Sequence, residues 1–582
     1  MHDSLKTPLL PGLFTSLRPP VTKGSSIVSE LVTFENRQGK RIVGFHDFPK
    51  GNGGEKQWVL VLPGYGETKT DVLTVSYFLA KNGFHTLRFD YSDHVGESDG
   101  EILSTTLTKM KEDIQSALDY LYRRFQPAAV GVVGSSLASR ALLRAARDDD
   151  RIQLLVNLVS VVDLRKTLCC IYNEDHFAHA HQGLVNGMMD VLGFQVDADH
   201  FLQSAIRDRY ENLLTTIEDV AHIKVPIVFF AAEKDVWVDL GDVREVFDAA
   251  GSREKDFCIL KGGMHRLYEN PQIVKEVLKT IVERSMRYLP DHRAFLALEE
   301  PNLKEIGVRI RKEKERNRIL HSITREEERE FWKSYLQKYS FVINVHDYWN
   351  LLDFLYRLLG EPAAGEKILD AGCGIGNYGT FLWLKLIYRL RQSLLVPPGP
   401  PFFSYVGIDF VKEANLEAKE NHGRIEREFC RGMGSFPQGA PASYSYFLAD
   451  LESRLPFKSR TFDKVCCNLV ISYLQDPQRA VADLVRVLKP KGRVVVTSLK
   501  PFADLSEVYR NFVRVAESQR EIEEARKLLN NAGRVKAKEA EGIYHFFSEE
   551  ELTDLLKETG VREVETFRSF GNQANVAVGI KG

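Results

Sequence analysis

Two places in the chain bring together residue types that can do chemistry. In "AAVGVVGSSLASRALLRAAR" an apolar run ends at Gly134, two serines follow, and the next residues open a helical pattern. A serine on a tight strand-to-helix turn is held exposed. Backbone passes close to it, so the residues two positions to either side must be small. Gly134 and Ala138 satisfy this around Ser136, whereas Ser135 would place Val133 at the first crowded position. Ser136 is therefore the candidate nucleophile, in the form G-x-S-x-A. Its partners must follow as an acid and then a histidine. "VPIVFFAAEKDVWV" is a buried-strand pattern with Asp235 just past its end, and "DFCILKGGMHRLYEN" is a strand, a glycine pair and His265. In such a set His265 takes the serine proton, while Asp235 fixes the imidazole tautomer and stabilises its cation. The backbone N–H of Leu137 would supply one oxyanion donor. The loop "LPGYGET", at Tyr65, would supply the second, the plain alternative being an ordinary turn.

The second place is "KILDAGCGIGNYG", which sets Asp370, Gly372, Gly374 and Gly376 directly after a strand. Glycine lets a ligand approach backbone at the mouth of a sheet. The spacing is G-x-G-x-G followed by Asn377. That variant fits a cofactor with an amino-acid tail better than a dinucleotide pyrophosphate. "YVGIDF" ends in Asp409, placed to accept hydrogen bonds from both hydroxyls of a ribose. "FLADLESRLPF" brings Asp450 and Leu451 to an adenine edge, and "FDKVCCNLV" ends near Asn468.

The elements that must position these residues alternate between apolar strand runs and amphipathic helices. Such alternation specifies a mostly parallel sheet covered on both faces. It occurs twice, so the fold class is α/β with two doubly wound domains. Residues 1–26 read as a proline-containing arm without a signal-peptide pattern. Residues 27–290 form the first domain, with a mostly helical cap at about 164–220 interrupting the alternation. Residues 291–340 are a charged helical linker, read as solvated. Residues 341–582 form the second domain, with the insert "RQSLLVPPGPPFFS" read as a loop. The aromatic segment "FWKSYLQKYSFVINVHDYW" is either a lid over the second site or a packed helix.

The chain's 582 residues exceed what one core can bury. The net charge of -2, from 78 basic and 80 acidic residues, gives no bulk attraction to nucleic acid or to an anionic membrane. Seven cysteines without regular spacing argue against a disulfide framework and a metal site and fit a reducing cytoplasm. No apolar stretch is long enough to be an integral membrane segment.

The first half resembles the acyl-transferase, or acyl-carrier-protein thioesterase, family of bacterial bioluminescence operons, which has an α/β-hydrolase fold. "NGFHTLRFDYSDHVGESDG", "GVVGSSLASR", "VVDLRKTL", "AAEKDVWV" and "GGMHRLYEN" carry the resemblance. It implies transfer or hydrolysis of fatty acyl thioesters through an acyl-serine, with a triad on Ser136, Asp235 and His265. The second half resembles the class I S-adenosylmethionine-dependent methyltransferases over Lys367–Ser498, through four motifs in order. That implies S-adenosylmethionine as cofactor, held in a Rossmann-like fold.

The sequence therefore points to a bifunctional enzyme. A serine acyl hydrolase or acyltransferase, acting on acyl thioesters or esters that are free or carrier-bound, is fused to a methyltransferase of a small-molecule or lipid-like acceptor. The alternatives are a methyltransferase with a non-catalytic hydrolase-like binding module, and a cofactor-binding scaffold.

Overall fold

A computed structural model describes residues 27–50, 57–267, 270–289, 298, 300, 301–320, 323–336, 340–393, 403–433, 442–501, 503 and 505–582. The N-terminal arm and most of the proline-rich insert lie outside these residues. The described ends of the insert belong to regular elements: Arg391–Ser393 finish a helix, and Phe403 and Ser404 open a strand. The chain divides into two compact units, Met1–Met189 with Gln195–Glu313, and Asp190–Phe194 with Lys314–Gly582.

The first unit is built on an eight-stranded sheet. Its strands are β1 (Ile27–Glu35), β2 (Arg41–Pro49), β3 (Gln57–Leu62), β4 (His85–Phe89), β5 (Ala129–Ser135) and β6 (Ile152–Leu158). After a short strand pair, β7 (Met188–Val191) and β8 (Phe194–Asp197), come β9 (Ile227–Ala232) and β10 (Lys255–Leu260). The order is β1-β2-β4-β3-β5-β6-β9-β10. β1 and β2 are antiparallel additions, and the strands from β4 to β10 run parallel. This is an α/β-hydrolase sheet. The central strands are buried on both faces, which explains why they read as continuous apolar runs. The chain leaves β3 toward β4 on one side and returns to β5 on the other. A crevice therefore opens at the C-terminal ends of β3 and β5, where such sheets place ligands.

The region expected to be a mostly helical cap does hold helices Leu164–Tyr172, His176–His181, Ala198–Arg207 and Leu213–Ala221. It also contains the β7–β8 pair, which the helical reading missed. Four-residue strands are too short to show alternation, so pattern could not separate them from a turn.

The second unit carries seven strands: β11 (Glu366–Ala371), β12 (Phe403–Asp409), β13 (Ala442–Leu448), β14 (Phe462–Cys467), β15 (Leu488–Leu499), β16 (Val561–Ser569) and β17 (Ala574–Lys581). Their order is β13-β12-β11-β14-β15-β17-β16, with β17 antiparallel to both neighbours. This is the Rossmann-like sheet of class I methyltransferases. Its two faces are covered by separate cores. One is centred on Leu351, Phe381 and Tyr405, the other on Leu484, Val494 and Leu552. The chain reverses direction across the sheet between β11 and β14, so the crevice lies there.

The charged stretch between the domains forms helices Leu303–Leu320 and Arg325–Leu336. It is not a purely solvated linker. In the first unit, Glu313 grips the fully buried guanidinium of Arg88 at 2.6 and 2.8 Å, and Asp47 binds that group from the other side at 2.7 Å. In the second unit, the helix Arg325–Leu336 buries Trp332 against the core. Charge density alone hid these anchoring residues.

Candidate active sites

The turn after β5 is strained in the way a nucleophile requires. Ser136 has φ 51° and ψ -123°, a region a side-chain-bearing residue enters only when its surroundings force it. Its N–H donates to Leu158 O at 2.9 Å, and its carbonyl accepts from Ser139 and Val161 N–H. A Cβ on Gly134 would meet Leu142 at 3.1 Å and Ser139 backbone at 3.5 Å, so the position two before the serine is crowded. Ala138 is fully buried. Ser136 then opens the helix Leu137–Asp148. That helix is pinned from behind by Arg140 and Asp219, whose side chains are both wholly buried and 2.7 Å apart. Arg144 and Arg147 bind the same carboxylate. Burial opposes its charge, but Arg140 and the other arginines keep it below the usual carboxylate range.

Ser136 Oγ lies 2.9 Å from His265 Nε2, and His265 Nδ1 lies 2.7 Å from Asp235 Oδ2. The carboxylate can only accept, so Nδ1 carries the proton and Nε2 is free to take one from the serine. The other oxygen of Asp235 accepts the N–H groups of Trp237 and Val238, which locks the carboxylate plane. Lys234 N–H donates to Gly263 O and Gly262 N–H to Glu233, tying the acid's turn to the histidine's. The Trp237 ring packs on the imidazole at 4.5 Å. Ser135 makes no such chain, and its hydroxyl faces the Gly64 turn.

Leu137 is the first residue of its helix, where N–H groups have no intrahelical acceptor. Tyr65 lies three residues past β3, whose last residue, Leu62, pairs with Gly134. Both therefore stand beside the elbow. The sequence reading assigned no role to "DHVGES", and the structure gives it one. His94 is buried, and its Nε2 accepts the Gly66 N–H at 3.2 Å. Its ring meets Tyr65 and Tyr91 edge-on. Burial pushes its pKa down to about 3, so it is neutral. Beside it, Asp90 pairs with the buried Lys69 and accepts Lys69 and Glu97 N–H. The turn clamps the 63–69 loop.

The second unit has a deep cavity at its switch point, lined by Asp370, Gly372, Gly374, Asp409, Asp450, Leu451 and Asn468 among others. Gly372, Gly374 and Gly376 all have positive φ. A Cβ on Gly372 would run into Val470 at 2.5 Å. Gly376 does not line the cavity. A Cβ there would meet that of Ala418 at 2.9 Å, so the glycine serves packing behind the turn. Asp409 accepts Gly374 and Val411 N–H at 2.9 Å, fixing the end of β12 to the glycine turn. Asp370 accepts the Tyr405 hydroxyl at 2.5 Å. Burial raises both carboxyls, Asp370 to about 7 and Asp409 to about 6. Asn468 accepts from Thr497 at 2.8 Å.

Two participants were not foreseen. Arg325 holds Asp450 through both carboxylate oxygens, pairs with Glu328, and sits over the Phe410 ring at 4.6 Å. Glu328 is buried and its carboxyl is raised by that burial. The aromatic segment read as lid or packed helix packs into the core and also lines the cavity. Trp332, Tyr335, Val342, Val345 and Tyr348 line the cavity, and Trp332 and Tyr348 belong to the core. Among the described residues, no cluster of His, Cys, Asp and Glu could hold a metal ion, and no helix is long and apolar enough to cross a membrane.

These two sites define a two-domain α/β enzyme, one half acyl transferase-like and the other a methyltransferase domain. Family models agree: "Acyl transferase" matches residues 28–315 and "Methyltransferase domain" residues 315–566. The first half is similar to the acyl transferase of Photorhabdus luminescens, 25% identical over 250 residues, covering 43% of this chain and 80% of that protein. It is similar also to that of Aliivibrio fischeri, 24% identical over 296 residues, covering 50% and 94%. Among solved structures, an esterase domain from a Rhodothermus marinus protein covers 45% of this chain and 99% of its own (22% identity, TM-score 0.34). Est1E from Butyrivibrio proteoclasticus, with ferulic acid bound, covers 44% and 99% (18%, TM-score 0.36). The N-terminal half thus resembles the acyl transferases of these two bacteria.

Proposed function

We propose that the first half moves fatty acyl groups from thioesters or esters, free or carrier-bound, through an acyl-Ser136. The second half acts as an S-adenosylmethionine-dependent methyltransferase on a small-molecule or lipid-like acceptor. The observation that carries this is the unbroken hydrogen-bond chain from Ser136 through His265 to Asp235. Ser136 Oγ attacks the acyl carbon as its proton passes to His265 Nε2. Asp235 stabilises the imidazolium, and the Leu137 and Tyr65 N–H groups face the oxyanion. Collapse breaks the acyl–sulfur or acyl–oxygen bond, and His265 returns the proton to the departing thiol or alcohol. Water or an acceptor alcohol then attacks the acyl-serine, with His265 again taking the proton; the acyl–Oγ bond breaks and His265 gives that proton back to Ser136.

The residues of the second cavity suit S-adenosylmethionine, which supplies an activated methyl group when bound. The open glycine turn with Asp370, Gly372 and Gly374 would hold its amino-acid tail, Asp409 its ribose, and Asp450 with Leu451 its adenine. Asn468, on the cavity lining after β14, would add to the cofactor's hold, and Gly376 supports the turn from behind. The aromatic roof keeps water out, and positioning with desolvation is what methyl transfer most needs.

The test incubates full-length protein with a panel of acyl thioesters, with and without isotope-labelled S-adenosylmethionine. Acyl release that requires Ser136, and label in a small-molecule product, are expected. Failure of Ser136 to react with a fluorophosphonate in folded protein would favour a binding module. Cofactor binding with no methylation across a broad acceptor screen would favour a scaffold.

A further inference from the structure

Charges in the second cavity are confined to one end. Arg325, Glu328, Asp370, Asp409 and Asp450 all gather at the ends of β11, β12 and β13. From β15 onward, the wall is made of Leu499, Leu505, Val508, Phe512, Ala532 and Phe570. Among the described residues this side contributes no charged side chain. Its polar groups are neutral, the Tyr509 hydroxyl on the wall itself and that of Tyr348, whose ring meets Phe570 edge-on. The charged end and the apolar wall line one continuous cavity.

We propose that this apolar chamber binds the methyl acceptor, and that the acceptor is an uncharged molecule with an alkyl or aryl body and a hydroxyl head. The proposal rests on reading the cavity as the methyltransferase site. A carboxylate or phosphate buried in the chamber would lose its hydration with no counter-charge to replace it. At the other end it would meet four acidic groups, against a single arginine already bound to two of them. A fatty carboxylate released by the first half is therefore excluded as the acceptor, whereas an alcohol or phenol of the same length is admitted. The chamber grips the hydrocarbon body, and the neutral hydroxyls of the wall can meet the head.

The test is calorimetric titration of the full-length protein with decanol, decanoate and decylamine, with and without S-adenosylhomocysteine. Phe512→Ala and Val508→Ala are titrated in parallel. Only heat lost in those variants is assigned to this chamber, which separates it from the acyl site of the first half. Decanol is expected to bind at least 10-fold more tightly than either charged analogue, and both variants should weaken it at least 5-fold. Decanoate or decylamine binding as tightly as decanol, or decanol binding untouched by both variants, overturns the proposal. S-adenosylhomocysteine titrated alone judges the methyltransferase reading separately, since decanol is also measured in its absence.

Discussion

Replacing Asp235 by Asn should disable the first site without disturbing the fold, for a reason visible in the hydrogen bonds. One oxygen of Asp235 accepts two backbone N–H groups, from Trp237 at 2.9 Å and Val238 at 3.1 Å. An asparagine must therefore put its carbonyl oxygen there. Its NH2 then takes the place of the oxygen 2.7 Å from His265 Nδ1. An amide NH2 only donates, so Nδ1 becomes the acceptor and the ring proton moves to Nε2. Nε2 now donates toward Ser136 Oγ and cannot accept its proton. Tautomer inversion of this kind costs about 10⁴ in turnover, on the order of 5 kcal/mol of barrier. The native contacts of the turn survive, so stability should change by less than about 1 kcal/mol. Hydrolysis of a chromogenic acyl ester, with thermal unfolding in parallel, reads both quantities. A folded Asp235→Asn protein within 10-fold of wild-type turnover would refute the tautomer argument.

Three further outcomes are expected. His94→Phe leaves the Gly66 N–H without its acceptor, at about 1–3 kcal/mol, so acyl turnover should drop about 10-fold and His94→Gln should recover part of it; equal rates in both variants would contradict the clamp. Arg325→Ala frees Asp450 from its bidentate pair, so S-adenosylhomocysteine should bind several-fold more tightly by calorimetry, whereas weaker binding would make Arg325 a cofactor ligand. Burial lifts the carboxyls of Asp370 to about 7 and Asp409 to about 6, so the ligand-free native state holds more protons than the unfolded chain between about pH 4 and 7. Its stability should fall as pH rises through that window, while affinity for the cationic cofactor should rise as the carboxyls ionise; pH-independent affinity between pH 5.5 and 8 would contradict this.

Residues at the ends of predicted strands were legible in the sequence because topology fixes where strand ends converge. Ser136, Asp235 and His265 follow β5, β9 and β10, and the parallel sheet brings those ends together. Asp370 and Asp409 end β11 and β12 for the same reason. What stayed hidden was set by tertiary packing. Arg325 and Glu328 sit in "REEEREFW", where charge density suggests solvent and only Trp332 hints at burial. His94 lies in a turn whose purpose depends on a loop some thirty residues earlier. Gly376 looked like its neighbours Gly372 and Gly374, but the helix behind it, and not the cavity, is what needs it small.

The most direct test is to trap the acyl-enzyme. Full-length protein is mixed with an acyl thioester, quenched in acid within a turnover, and digested for mass spectrometry. An acyl group on Ser136, absent from Ser136→Ala, is the expected result. Acylation of Ser135, acylation that persists in Ser136→Ala, or release of the thiol with no acyl-serine at any time would contradict it.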